Sequence, residues 1–143
     1  MKILITGANG FIGKNLVAEL HNKGFRNIYK ITRESDLETL EMYTKECDFV
    51  FHLAGVNRPK NEKEFMKGNY EFTLKLLELF KKHNNRAPIL MTSSIQAIKD
   101  NPYGNSKKAT EELLIKYSKE TGVQTHIYRL PNVFGKWSRP NYN

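Results

Sequence analysis

Three observations predict an α/β fold with a parallel, doubly wound sheet. Short apolar runs alternate with amphipathic stretches along the chain, the first run ends in a glycine-rich turn that opens a helix, and no internal repeat, linker or low-complexity tract breaks the alternation. Strands that alternate with helices need crossover connections, and these place helices on both faces of a parallel sheet. Residues 1–143 read as one domain, long enough to bury a core.

Each element has its own signal. Lys2–Thr6 is an apolar run closed by Gly7 and reads as the first strand. Phe11–Lys23 carries Ile12, Leu16, Val17 and Leu20 at helical spacing. Asn27–Thr32 reads as a second strand, and Asp36–Glu46 as a helix with Leu37, Leu40 and Tyr43 inward. Asp48–Ala54, "DFVFHLA", is a near-continuous apolar strand, with Cys47 packed at its start. Glu64–His83 reads as one long amphipathic helix with Phe65, Phe72, Leu76, Leu79 and Phe80 on one side. Pro88–Ser93 is a fourth strand, Pro102–Thr121 a helix ended by Gly122, and Val123–Leu130 a fifth strand. The tail "PNVFGKWSRPNYN" has no clear period.

Composition narrows the function classes. Hydrophobic residues make up 39% and charged residues 27%, ordinary for a soluble globular protein. No apolar run approaches the roughly 20 residues of a membrane span. The apolar part of "MKILITG" is too short for a signal peptide, so a cytoplasmic location is expected. One cysteine excludes a disulfide framework, and no metal site is expected. Net charge is +8, about +1 over residues 1–71 and about +7 over residues 72–143. The lysines are dispersed and aromatics do not alternate with them, as a single-strand binding surface would need. A small polyanion, a dinucleotide or a nucleotide-sugar, fits this charge better than nucleic acid.

"ITGANGFIG" places Gly7, Gly10 and Gly13 directly after the first strand and at the start of the first helix. That order suits a tight turn, close approach of backbone to a pyrophosphate, and close packing of helix on strand, with free N–H groups facing the phosphates. Phe11 and Ile12, inside the same loop, count among the cofactor-binding residues. The G-x-x-G-x-x-G spacing resembles the extended branch of the short-chain dehydrogenase/reductase superfamily, which implies a Rossmann-like fold. An acidic residue at the end of the second strand would bind the ribose 2′-hydroxyl of NAD. Here Thr32 and Arg33 stand about 20 residues past Gly13. Arg33 offers a planar fork for a 2′-phosphate, so NADP(H) is the expected cofactor. Lys14 is either a second phosphate contact or a solvated helix residue. "HLAG" occupies the place where the superfamily packs a small-residue loop against the cofactor, which assigns Leu53, Ala54 and Gly55 to the cofactor site. His52 is read as structural.

Tyr103 and Lys107 stand at i and i+4 and share a helix face. A free tyrosine titrates near 10, too high for proton transfer at neutral pH. Bringing it to about 7 needs roughly 4 kcal/mol of preferential stabilisation of the anion. A nearby ammonium supplies part of that, and the same lysine can hold the cofactor ribose. Ser94 closes the strand "ILMTSS" at the edge where open α/β sheets bind ligands, and its hydroxyl could polarise a substrate carbonyl. Thr92 and Ser93 are alternatives for that role. By resemblance to the superfamily, Asn69 in "KGNYEFTLKLL" is the active-site asparagine, and Pro131 and Asn132 in "YRLPNVFG" touch the nicotinamide amide and the sugar-nucleotide respectively.

"SSIQAIKDNPYGNSK", "RLPNVFGKWSRPNYN" and "HLAGVNRP" are similar to the bacterial capsule-synthesis reductases within this superfamily. Nine positions separate Ser94 from Tyr103, where most sugar-nucleotide epimerases carry a longer insertion. The resemblance implies NADPH-dependent reduction of a UDP-linked 4-keto-6-deoxy N-acetylhexosamine, to a UDP-2-acetamido-2,6-dideoxy-L-talose. It also implies a UDP-sugar as partner and is compatible with a homodimer. Members of that family continue into a substrate-binding remainder and a metal-containing cupin domain, so the chain is expected to be the N-terminal part of a longer reductase. Two other readings stand beside it: a nucleotide-sugar epimerase or dehydratase using the same Tyr, Lys and Ser, and a non-catalytic NADP-binding regulatory module.

Overall fold

The computed structural model describes residues 1–55 and 61–138. Residues 56–60 and 139–143, which include the ends of the "HLAGVNRP" and "NVFGKWSRPNYN" motifs, lie outside the described residues.

Five strands form one parallel sheet in the order β2-β1-β3-β4-β5. They are β1 (Lys2–Thr6), β2 (Asn27–Ile31), β3 (Phe49–His52), β4 (Ile89–Ser94) and β5 (Thr125–Leu130). β1 pairs with β2 on one side and β3 on the other, so the chain reverses its direction of progress across the sheet between them. In open α/β sheets such a switch point is where a crevice opens beyond the carboxyl ends of the strands. The order is that of a doubly wound sheet with β2 at its edge. Among the described residues only helix α2 (Leu37–Glu46) separates β2 from β3, which leaves β2 at the edge of the sheet.

Helix α1 (Phe11–Asn22) packs its Leu16, Val17 and Leu20 on one sheet face against Ile3, Ile5 and Phe51. The opposite face carries the larger core: Leu4, Val50, Ile89 and Met91 from the strands meet Leu40, Leu76, Phe80, Leu114 and Tyr117 from α2, α4 (Phe72–Lys82) and α5 (Pro102–Thr121). Strand residues alternate between these two cores, as the pleat requires.

Several expected bounds move. Leu37 is exposed rather than inward, because it is the first residue of α2, directly after the cap in which Asp36 accepts from the Thr39 N–H at 2.7 Å. β3 is shorter than "DFVFHLA", running from Phe49 to His52. The long helix expected over Glu64–His83 is three pieces end to end, α3 (Lys63–Phe65), a π-helical segment Met66–Glu71, and α4. π-Bulges of this kind concentrate at functional sites. A 3₁₀ turn, Ile95–Ile98, follows β4 and has no period long enough to announce it. α5 starts and ends as its sequence implies: Asn101 accepts from the Gly104 N–H at 2.7 Å, Pro102 occupies the first turn, and Gly122 ends the helix at φ +76°. Cys47 is buried at the start of β3, as expected.

Candidate functional site

The crevice has two walls. The first is backbone. Gly7 turns at φ +70°, a left-handed conformation that disfavours a side chain, and a Cβ there would sit 2.8 Å from the Ala54 nitrogen. The turn after β1 and the segment after β3 therefore touch, with Leu53 and Ala54 against the glycine loop and Gly55 next in the chain. A Cβ on Gly13 would collide with the Gly7 carbonyl, so α1 begins as close to β1 as it can. Gly10 caps α1 without a side-chain hydrogen bond, and no acidic residue sits in the first turn. Its first N–H groups thus face the crevice with a positive dipole end and no competing carboxylate. Phe11 and Ile12 are partly buried at this helix start. Arg33 is exposed just beyond β2 and makes no ion pair or side-chain hydrogen bond with the described residues; the nearby Glu34 carboxylate accepts from Thr32 instead. Lys14 lines an open cavity of about 310 Å³ together with Asn9, Lys30 and Trp137. These features fit a pyridine dinucleotide: a cradle that extra carbon would fill, free amides for a pyrophosphate, and an uncommitted guanidinium at the adenosine end.

The second wall is side chain. α5 carries Tyr103 and Lys107, and the π-helical segment carries Asn69. A Cβ on Gly55 would lie 2.9 Å from Asn69 Oδ1 and 3.1 Å from Lys107 Nζ, so amide and ammonium converge on the turn that also touches Gly7. Lys107 Nζ lies 5.9 Å from the Tyr103 ring centroid, and Phe65 packs on Tyr103 in a tilted arrangement with ring centroids 5.5 Å apart. Burial pushes the Lys107 ammonium down to about 8, while the Glu111 carboxylate pulls it back.

Ser94 ends β4, immediately before the 3₁₀ turn on which the start of α5 packs. The start of α5 lies so close to the 3₁₀ turn that a Cβ on Gly104 would collide with the Gln96 carbonyl. Ser94 Oγ accepts from the Gln96 N–H at 3.1 Å, which leaves its own O–H free to serve as a donor. Thr92 is partly buried, and Ser93 points to the opposite sheet face and is buried. Pro131 and Asn132 are exposed just after β5. Asn15 ties that segment down, donating to both the Phe11 and Lys136 carbonyls at 2.9 Å.

A buried relay joins the walls. Thr73 Oγ1 donates to the Asn69 carbonyl at 2.7 Å, so its oxygen must accept from His52 Nε2 at 2.7 Å. Thr6 Oγ1 accepts from the Ala54 N–H at 3.2 Å, so its proton goes to His52 Nδ1 at 2.7 Å. His52 is thereby fixed as the neutral Nε2–H tautomer, and burial, then the Lys107 charge, push it down to about 3. It is structural, as its sequence context implies. Asn69 Nδ2 donates to Ser106 Oγ at 2.9 Å, and Ser106 donates to the Tyr103 carbonyl at 2.8 Å. Thr6, Thr73, Ser106 and Gly104 carry no sequence signal of their own; only the fold brings them together.

Residues 3–143 match the NAD dependent epimerase/dehydratase family. The chain belongs to that family. This epimerase/dehydratase-family chain is 52% identical over 143 residues to the UDP-2-acetamido-2,6-beta-L-arabino-hexul-4-ose reductase of Pseudomonas aeruginosa (strain PA103), covering 100% of this chain and 38% of the relative. Among solved structures, it superposes on the capsular polysaccharide assembling protein CapF from Staphylococcus aureus with a TM-score of 0.87 and 48% identity, covering 100% of this chain and 39% of that one. The fold alone is shared with the UDP-glucuronic acid 4-epimerase from Bacillus cereus, at a TM-score of 0.85 and 23% identity over 98% of this chain and 58% of that one. The chain thus spans under two-fifths of the length of its reductase relative. Among the described residues no helix is long and apolar enough to cross a membrane, and no group of three His, Cys, Asp or Glu could hold a metal ion.

Proposed function

We propose that this chain is the cofactor-binding and proton-transfer part of an NADPH-dependent reductase acting on a UDP-linked 4-keto-6-deoxy N-acetylhexosamine, a step in making capsule or other surface-polysaccharide precursors. The observation that carries the reading is the convergence of Lys107 Nζ and Asn69 Oδ1 on Gly55, at the turn that seals the glycine loop. An ammonium and an amide beside the glycine-loop cradle support that reading. The similarity to a UDP-sugar reductase and to CapF supports the substrate class.

Gly7, Gly10, Phe11, Ile12, Gly13, Leu53, Ala54 and Gly55 would hold the dinucleotide, with Arg33 on its 2′-phosphate and Pro131 against the nicotinamide amide. When bound, NADPH supplies the hydride that reduces the C4 carbonyl. Ser94 donates a hydrogen bond to the carbonyl oxygen and polarises it. Tyr103 gives its proton to the forming alkoxide. Lys107 favours the phenolate left behind and anchors the cofactor ribose. Asn132 contacts the sugar-nucleotide. An epimerase or dehydratase would use the same Tyr, Lys and Ser; the 52% identity to a reductase favours reduction.

Tyr103→Phe tests the assignment. NADPH affinity should stay within about twofold, while reduction of a UDP-4-keto sugar falls by roughly 10²–10⁴-fold, the usual contribution of general acid catalysis. A variant that reduces the sugar at the unmodified rate would remove Tyr103 from the role of acid.

A further inference from the structure

One buried charge in this molecule has no place in the proton-transfer scheme. Glu111 lies one helical turn beyond Lys107 on α5 and is 5% exposed. A carboxylate that deep is retained only when its charge is answered. Arg129 on β5 answers it with both prongs: Nε donates to Oε1 at 2.9 Å and Nη2 to Oε2 at 2.7 Å. The arginine side chain itself is 42% exposed, so it could have stayed in water. Ser93 Oγ on β4 faces the same carboxylate, and among the described residues it is the one buried side-chain oxygen with no hydrogen-bond partner within 3.5 Å. The charge therefore ties α5 to β5, immediately before the Pro131–Asn132 segment.

We propose that Glu111, pinned by Arg129, is a positioning residue of this site, the counter-ion that keeps Lys107 cationic beside Tyr103 while locking the end of β5 to the helix that carries both. The proposal rests on the reading of Tyr103 and Lys107 as the proton-transfer pair.

Geometry gives it direction. Tyr103, Lys107 and Glu111 stand at successive four-residue steps and share one helix face, with Lys107 between the other two in the order along α5. The groups facing Lys107 are few among the described residues. α5 brings Tyr103 and Glu111, β3 brings His52, which is neutral, the π-helical segment brings the Asn69 amide, and β5 brings Arg129 only through Glu111. Among the described residues Glu111 is the anion that raises the Lys107 midpoint, and Arg129 sets how much of that anion Lys107 feels. Burial alone would raise the Glu111 carboxyl; the Arg129 fork, Ser93 and the charges of Arg129 and Lys107 offset this and hold it below the usual carboxylate range. The carboxylate is therefore ionised wherever the lysine titrates.

The two partners have opposite signs, so removing them must move Lys107 in opposite directions. The titration of Lys107 is followed by NMR of ε-carbon-labelled lysine in the 143-residue chain, with Lys107→Arg identifying its resonance. Glu111→Gln should lower the midpoint by about one pH unit or more, the effect of losing a nearby opposite charge. Arg129→Met should raise it, because the carboxylate is no longer shared, and Glu111→Asp should restore a midpoint close to that of the unmodified chain. A merely structural role predicts otherwise: loosening the site admits water and moves both variants up toward 10.5. A midpoint that rises or stays put in Glu111→Gln overturns the proposal. If Glu111→Gln does not fold, Arg129→Met is compared with Arg129→Lys, which keeps the charge but loses the fork. A midpoint raised in Arg129→Met and returned in Arg129→Lys supports the proposal, and one unchanged or lowered in Arg129→Met, or raised equally in both, overturns it. No substrate is needed, so a failure here is distinct from a failure of Tyr103→Phe to slow the reduction.

Discussion

On one side of the crevice, the turns after β1 and β3 offer main-chain atoms, three glycines and an exposed arginine. On the other, α5 and the π-helical segment offer an ammonium, an amide, a phenol and a buried carboxylate. The first wall works by leaving out carbon: the Gly7 turn and the Ala54 backbone could not approach as they do if Gly7 carried a Cβ. The second works by burying charge, which is unfavourable in the free chain and useful only next to a ligand. Backbone geometry can thus be built at little electrostatic cost, whereas a buried ammonium lowers stability.

The sharpest way to break that contrast is Lys107→Met. The folded-state midpoint of Lys107, about 8, lies below its ordinary 10.5, so the unfolded chain holds this proton more tightly. Stability should therefore rise with pH between about 8 and 10.5, and the cost of the buried charge is fully present below 8. Because the side chain is partly exposed, the full shift overstates that cost, and roughly 2 kcal/mol is expected. Lys107→Met should raise stability to urea at pH 7 by about that amount, remove the alkaline slope, and at the same time weaken NADPH. A variant that is less stable at pH 7 would mean the lysine is a structural contact and the wall stores nothing.

A smaller effect sharpens the first wall. Arg33→Ala removes a side chain with no protein partner among the described residues, so stability should not change. NADPH should bind about tenfold more weakly, the value of one charge-assisted contact at an exposed site, and NADH nearly as before. Fluorescence titration of both cofactors checks it; equal losses for the two would show that Arg33 does not read the 2′-phosphate.

The same contrast explains what could be read from the sequence. The glycine loop spans only Gly7 to Gly13, and its requirement is local, so spacing alone reveals it. Tyr103 and Lys107 are visible for the same reason, being one turn apart on a helix with a clear cap. The relay from Thr6 through His52 and Thr73 to Asn69 links residues 21 to 46 positions apart in its longest steps, and no periodicity marks it. Glu111 looks like any polar helix position until β5 brings Arg129 against it. The π-helical segment carries no signal of its own: its one buried residue, Asn69, is polar, and the apolar Phe65 and Phe72 on either side stand seven positions apart, as an ordinary helix also allows. Leu37 shows the reverse error, since an apolar residue in the first turn satisfies the helical period without reaching the core.

The central claim is that the two walls serve one dinucleotide, with phosphates at the glycine loop and nicotinamide beside Lys107. Titrating NADPH into the ¹⁵N-labelled 143-residue chain, and following its amide resonances, tests this directly. The predicted result is saturable shifts, at one stoichiometric site, in Gly7, Gly10 and Gly13 and equally in Gly55, Tyr103 and Lys107, with the α4–α5 surface around Lys81 and Lys116 unmoved. Shifts confined to the glycine loop, or centred on that α4–α5 surface, would contradict it.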